Sequence, residues 1–461
     1  MSPVDGVVRP VPLVAYERWL DSLVRAGWPA AGDRGAGDRG AGDGRDSEPV
    51  AVGDALGRVT AGPVVARWPS PRTDCAAMDG IAVRAADLAA APPVSRAEGL
   101  PEDAGADGQA LRLPAGLFEW IDTGDPMPAR ADTVILRERL LPQADGSMVI
   151  TAAASGEPEA GQRPGYGARG RNVRTAGEDF GAGQTLVPAG RRLRPGDLAA
   201  AAAGGHVTVA VARRPVVAII PTGDEIRPIG TVPRFGDIID TNSLMLTARC
   251  RQLGAVPVVS AVVPDDPDSL AVELRRAAGQ ADLVLVIAGS SRGRGDHAAA
   301  VLAQVGGVAV AGVAVRPGHP GLLGHAKRPA ASHGHPAEAH AAQRTGIAPV
   351  IGLPGYPLAA AVIFELFAVP MLGALTGQAT VRDRVRARLD RDWSSPVDVE
   401  NWVLVTLAPG DAGGVPVATP AKRGASSISQ LARADAWWPI PAGQGAFTSG
   451  TQIEIIPVPG G

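Results

Sequence analysis

Apolar positions recur along this 461-residue chain with different periods, and the changes of period divide it. In the opening stretch VAYERWLDSLVRAGW they fall at helical spacing, and a second short helix-like piece follows around AVGDALGRVTA. From 63 to about 169 the pattern turns to short β-type runs such as TVIL and SMVITAAA among many prolines, which predicts a small β-rich domain. Residues 170–212 are a glycine-punctuated extended segment ending in DLAAAAAGGHVTVAV, expected to rejoin residues 11–62. Between 213 and 378 strand and helix patterns alternate, from RPVVAIIPTGDE and NSLMLTARCRQLGA through VPVVSAVVPDD, DSLAVELRRAAGQ and DLVLVIAGSS to VIGLPGYPLAAAVIFELFAVPML. That alternation predicts an open, mostly parallel α/β sheet, whose continuous apolar strands need cover on both faces. Residues 379–461 alternate polar and apolar positions between Gly/Pro turns and predict a small all-β domain.

Two segments read as inserts. Residues 31–47 are a Gly/Asp/Arg run with nothing to bury. Residues 325–347 gather His325, His333, His335 and His340 in a Pro/Ala-rich stretch, whose spacings match no helical metal pair and favour a flexible hairpin extension.

Composition narrows the class. A formal charge of −3 gives no pull toward nucleic acid, and the two cysteines, Cys75 and Cys250, form no disulfide framework or Cys-x-x-Cys metal site. The start lacks a basic segment followed by an apolar run, and no uncharged apolar stretch is long enough to span a bilayer, so a cytoplasmic protein is expected.

The chemistry concentrates at loops after strands. The loop Gly289 to Gly295, with Ser290, Ser291 and Gly293, follows the apolar run 283–287 and offers free backbone N–H groups to an anion. Arg292 and Arg294 add positive charge, and Asp296 supplies a hard oxygen for Mg²⁺. Thr222 and Gly223 precede Asp224 and Glu225 in PTGDEI at another strand end. Any one acid beside a glycine is ordinary turn chemistry, and Asp240 in particular is placed to cap the following helix. Convergence raises the functional reading: Glu225, Asp240 and Asp296 all approach strand ends of a doubly wound sheet, where three carboxylates would hold Mg²⁺. Arg316 and His319, fixed between Pro317 and Pro320, would complete a positively lined pocket. The turn Pro354-Gly355-Tyr356-Pro357 either shapes the next helix or lines the same pocket. No P-loop, dinucleotide fingerprint or nucleophile elbow is present.

Taken in order, AAMDGIAVRAADL, IDTGDPMPARADTVILRE, GRNVRTAGEDFGAGQTLVPAG, RRPVVAIIPTGDEI, GDIIDTNSLML, VRPGHP and GLPGYPLAAAVIFELF resemble the motifs of the molybdopterin molybdenumtransferases, the MoeA and gephyrin E-domain family. The resemblance implies a multidomain α/β plus β fold. It has an elongated N-terminal domain (11–62 and 170–212), an inserted β-rich domain (63–169), an open α/β domain like the molybdopterin adenylyltransferases, MogA-like (213–378), and a C-terminal β-barrel (379–461). It also implies a homodimer and Mg²⁺-dependent insertion of molybdate into adenylylated molybdopterin with release of AMP. Asp79, Asp179, Glu225, Asp240 and Asp296 match the family's functional acids, Asp79 and Asp179 acting from the partner chain. Arg316 and His319 stand where most members have lysines, Tyr356 stands for an asparagine, and the loop 288–295 is rewritten with hydroxyls and guanidinium groups. A non-catalytic carrier or scaffold for the cofactor, and a molybdopterin adenylyltransferase, are the alternatives. An adenylyltransferase and a molybdoenzyme are the expected protein partners.

Overall fold

In the strands of the α/β sheet successive residues point to opposite faces, and each face has its own apolar core. Val217, Ile219, Leu283, Leu285, Ile287, Ile351 and Leu353 join one buried cluster, while Ala218, Ile220, Val284, Val286 and Val350 join a second. The computed structural model describes residues 9–28, 47–94, 110–151, 168–288, 297–329, 346–376, 382–410, 414–422, 424 and 427–458. It falls into two units, one of Met1–Glu48, Gly57–Val59 and Ala212–Gly461, the other of Pro49–Leu56 and Thr60–Val211.

In the first unit six strands lie in the order Val256–Val259, Val216–Pro221, Leu283–Ala288, Ile347–Pro354, Leu322–Lys327 and Gly306–Ala311. The first four are parallel to one another, and the last two are joined antiparallel. The helix Pro267–Gln280 shows why the sequence folds this way. Asp266 caps it by accepting from Ser269 N at 2.8 Å, Pro267 opens it, and Leu270, Ala271, Leu274, Ala277 and Ala278 form its buried stripe.

The opening helix Pro12–Arg25 is placed differently from the expectation that grouped it with 170–212. Ala15, Trp19 and Leu23 are fully buried in the first core of the α/β sheet, and Trp19 Nε1 donates to Gly324 O at 2.7 Å. An apolar helical face is satisfied by whichever surface covers it, and here that surface is the sheet.

The run Pro357–Thr376 is long and apolar enough by length and composition to cross a membrane, but it carries a charge and is a mostly buried core helix. Its one charge, Glu365, lies in a π-helical turn, Phe364–Ala368, and is paired with Arg249 at 2.7 Å. His325 belongs to the strand Leu322–Lys327 and not to the insert; His333, His335 and His340 lie outside the described residues.

The C-terminal strands Glu400–Ala408, Val417–Pro420, Val385–Leu389, Gln452–Pro457 and Ala436–Ile440 pair in that order and close back on the first, making a five-stranded barrel. Its interior is filled by Leu389, Val405, Trp438, Ile440, Ile453 and Ile455.

In the second unit Thr60 bridges Val211, and Val64–Val65 pairs antiparallel with Thr185–Val187. A four-stranded sheet and a three-stranded sheet follow from the inserted part of the chain. The latter is Phe118–Ile121, Gly80–Val83 and Thr133–Leu136, packed through Ile81, Val83 and Ile135.

Candidate functional site

Sheet order locates the crevice. The chain runs from Val216–Pro221 to its neighbour on one side, Val256–Val259, then crosses to Leu283–Ala288 on the other, so the order reverses between the ends of Val216–Pro221 and Leu283–Ala288. Such a switch point leaves a gap at the carboxyl edge of a doubly wound sheet. Thr222 seals its floor, donating from both N and Oγ1 to Ile287 O, at 3.0 and 2.9 Å. Thr222, Asp265, Ala288 and His297 line the crevice above it.

Gly223 lets the acids fold over this floor. Its φ is +134°, and a Cβ there would stand 2.9 and 3.0 Å from the Glu225 carboxylate oxygens and 2.8 Å from Ile226 Cγ1. Asp224 Oδ1 accepts from Asp265 N at 3.3 Å. The Asp265 carboxyl is pushed above the usual range, first by burial and then by the negative charges of Glu225 and Asp224, with His297 acting in the opposite sense. Asp265 and His297 were missed in the sequence. The signal for Asp265 was the acidic pair after VPVVSAVVP, a third strand-end loop in the same unit.

Asp240 sits at the far end of a two-residue parallel ladder, Ile226–Arg227 with Ile238–Ile239, that begins next to Glu225. Its Oδ1 accepts from Ser243 N at 2.9 Å at the start of the helix Asn242–Gln252, so one oxygen serves as a helix cap. Asp296 and the loop residues Gly289, Ser290, Ser291 and Gly293 lie outside the described residues. Among the described residues no group of three or more His, Cys, Asp or Glu side chains is arranged to hold a metal ion.

The other wall comes from the next strand. Ala288 pairs with Pro354, and Asn242 Nδ2 donates to Gly355 O at 2.7 Å, tying this turn to the helix that follows Asp240. Pro357 then opens the helix Pro357–Ile363, while Tyr356 is exposed. Arg316 is held by a different device: the strand Val315–Arg316 adds in parallel to the barrel strand Glu400–Ala408, and its guanidinium is 4.0 Å from Asp398. His319 is exposed, and its carbonyl accepts from Val313 N at 2.9 Å. The turn between them packs on the helix that Pro357 opens, since a Cβ on Gly318 would be 3.1 Å from Ile363 Cδ1.

The second unit carries the remaining two acids. Asp79 Oδ1 accepts from Thr123 N at 2.7 Å and from Thr123 Oγ1 at 2.6 Å, which holds its carboxyl below the usual range, helped by the nearby Arg137 charge. Gly80 beside it is obligatory, because a Cβ would lie 1.8 Å from Ile135 O. Asp179 is exposed, with its N donating to Ser70 O at 3.0 Å, and Glu178 pairs with Arg174 at 3.3 Å. The cysteines are buried small residues, as expected, and burial pushes the Cys250 thiol up to about 12.

Fold and crevice together define a multidomain α/β protein whose acids gather at a strand-end switch point, followed by a closed barrel. Three family models match it in order: the MoeA N-terminal region (domain I and II) over 23–205, the probable molybdopterin binding domain over 218–374, and the MoeA C-terminal region (domain IV) over 386–458. The chain belongs to the MoeA family. It is 29% identical over 429 residues to the molybdopterin molybdenumtransferase of Nostoc sp., covering 90% of this chain and 89% of that one. The molybdopterin molybdenumtransferase of Bacillus subtilis is 28% identical over 89% of this chain and 90% of its own. A solved molybdopterin biosynthesis moea protein from Pyrococcus horikosii matches at 26% identity with a TM-score of 0.72, covering 98% of this chain and 99% of that chain.

Proposed function

We propose that this protein is a transferase of molybdenum cofactor biosynthesis, a cytoplasmic homodimer that inserts molybdate into adenylylated molybdopterin and releases AMP. The observation that carries the reading is the switch-point crevice, where Asp224, Glu225 and Asp265 oppose one another's charge beside the Thr222 floor. Mutually repelling carboxylates of this kind suit a cation. Mg²⁺ commonly takes one or two carboxylates and completes its shell with water and phosphate oxygens, so a preformed three-residue cage is not required. Bound there, it would neutralise charge developing on the phosphoanhydride as the bond to AMP breaks.

The chain's own residues have separable tasks. Thr222 and Gly223 keep the floor narrow enough for Glu225 to lie over it, and Asp240 fixes the start of the helix whose Asn242 holds the Gly355 turn. Arg316 supplies positive charge for an anionic substrate, and His319 a ring nitrogen beside it. Asp79 and Asp179 act from the partner chain, as the family resemblance implies. The test is AMP release from adenylylated molybdopterin by the purified protein with Mg²⁺, with and without molybdate or tungstate. Oxyanion-dependent release that is lost in Glu225→Ala supports the proposal. Release unchanged by Glu225→Ala and Asp296→Ala overturns it, and tight cofactor binding with no release indicates a carrier.

A further inference from the structure

At one end of the three-stranded sheet Trp120, Arg137 and Asp79 stand together. Trp120 lies on the edge strand Phe118–Ile121, opposite Ile81, and is 56% exposed. The Arg137 guanidinium, from the turn that follows the other edge strand, sits 5.9 Å from the centre of its ring. Among the described residues this guanidinium makes no ion pair, whereas nearby Arg130 is paired with Glu119 at 2.9 Å. Asp79 is the third group: its Oδ1 is filled by the two Thr123 donors, and Oδ2 keeps its lone pairs. A single exposed apolar side chain needs no explanation. An exposed indole with a cation at its ring, and a fixed carboxylate within reach of that cation, is a different matter, since flat heterocycles are gripped by stacking plus edge hydrogen bonds.

We infer that Trp120, Arg137 and Asp79 form a platform for the pterin ring of the substrate. Trp120 stacks on the ring, Asp79 Oδ2 accepts from its amino and ring N–H edge, and Arg137 donates to its exocyclic oxygen. The choice of pterin over adenine follows from the donor inventory. A carboxylate is acceptor-only and matches the adjacent donors of an aminopyrimidinone, whereas the amino group of adenine is flanked by a ring nitrogen that also accepts. This inference rests on the proposed molybdopterin substrate, and its test is a binding measurement that needs no turnover.

Titration calorimetry of the full chain with 6-hydroxymethylpterin and, separately, with AMP provides that test. Trp120→Ala is expected to weaken pterin binding about tenfold or more, with Trp120→Phe within about threefold of the wild type and AMP unaffected. Arg137→Met should weaken the pterin less than Trp120→Ala does. Equal pterin affinity in the wild type and Trp120→Ala, no pterin binding to the wild type, or loss of AMP binding alone each overturns the assignment. Because Trp120 is exposed, the variant keeps its fold, which the thermal midpoint checks. Trp120-dependent pterin binding without AMP release in the catalytic assay would sustain this inference and remove the proposed function. Release with pterin binding indifferent to Trp120 would do the reverse.

Discussion

The acids of the crevice and the acid at Asp79 are held in opposite ways. Around Glu225 the carboxylates face one another, and the Asp265 carboxyl is pushed up by burial and by its neighbours' charge. At Asp79 two donors from Thr123 and the Arg137 cation favour the charged form, and the carboxyl is held down. The first arrangement leaves like charges set against one another. The second is complete in itself and can only offer an acceptor.

The largest test of this contrast is at the two glycines. Gly80→Ala drives a Cβ into a backbone carbonyl, and the strand Gly80–Val83 must move, so a loss of about 3 kcal/mol in denaturant unfolding is expected. Gly223→Ala meets only the ends of the Glu225 and Ile226 side chains, which can swing away. Its φ of +134° also strains any L residue, so the variant should cost about 2 kcal/mol in stability while abolishing most AMP release, because the carboxylate is displaced. Equal stability losses in the two would break the comparison.

Asp240 sharpens it further. Asp240→Ala removes the acceptor for Ser243 N and should cost about 1 kcal/mol of stability, whereas Asp240→Asn keeps an oxygen there and most of the stability. If Asn restores activity along with stability, the residue is a cap alone; if activity stays low, its charge is used.

The smallest effect concerns protonation. Since the fold lowers the Asp79 pKa below its unfolded value, the stability it contributes is present above the unfolded value and is lost as pH falls through the folded one. Thr123→Val removes the side-chain donor, and the Asp79 titration followed by NMR should move upward toward the ordinary aspartate range. No movement would mean that the backbone donor and Arg137 suffice.

Much of this was legible in the sequence where a residue's own pattern dictates its setting. The apolar runs in RPVVAIIPTGDE and at 283–287 read as covered strands, and DSLAVELRRAAGQ as a helix. The helix Pro12–Arg25 was legible as a helix but not in its place, since its buried stripe says that it is covered and not by what. Likewise Asp265 and His297 gain their significance from strand order, which brings the ends of three separated segments together, and Trp120 from an arginine seventeen positions further along the chain.

The two-residue strand Val315–Arg316 couples distant parts of its unit. Its hydrogen-bonding partners are Glu400 and Asn401, and Glu400 N also donates to Ala314 O at 3.1 Å. The barrel is therefore a clamp on the basic turn, and the α/β region cut away from residues 379–461 would lose the hold on Arg316 together with the cover that Trp402, Leu404 and Trp437 give its core. An excised α/β fragment should accordingly be a poor stand-in for the whole chain in any experiment on anion binding.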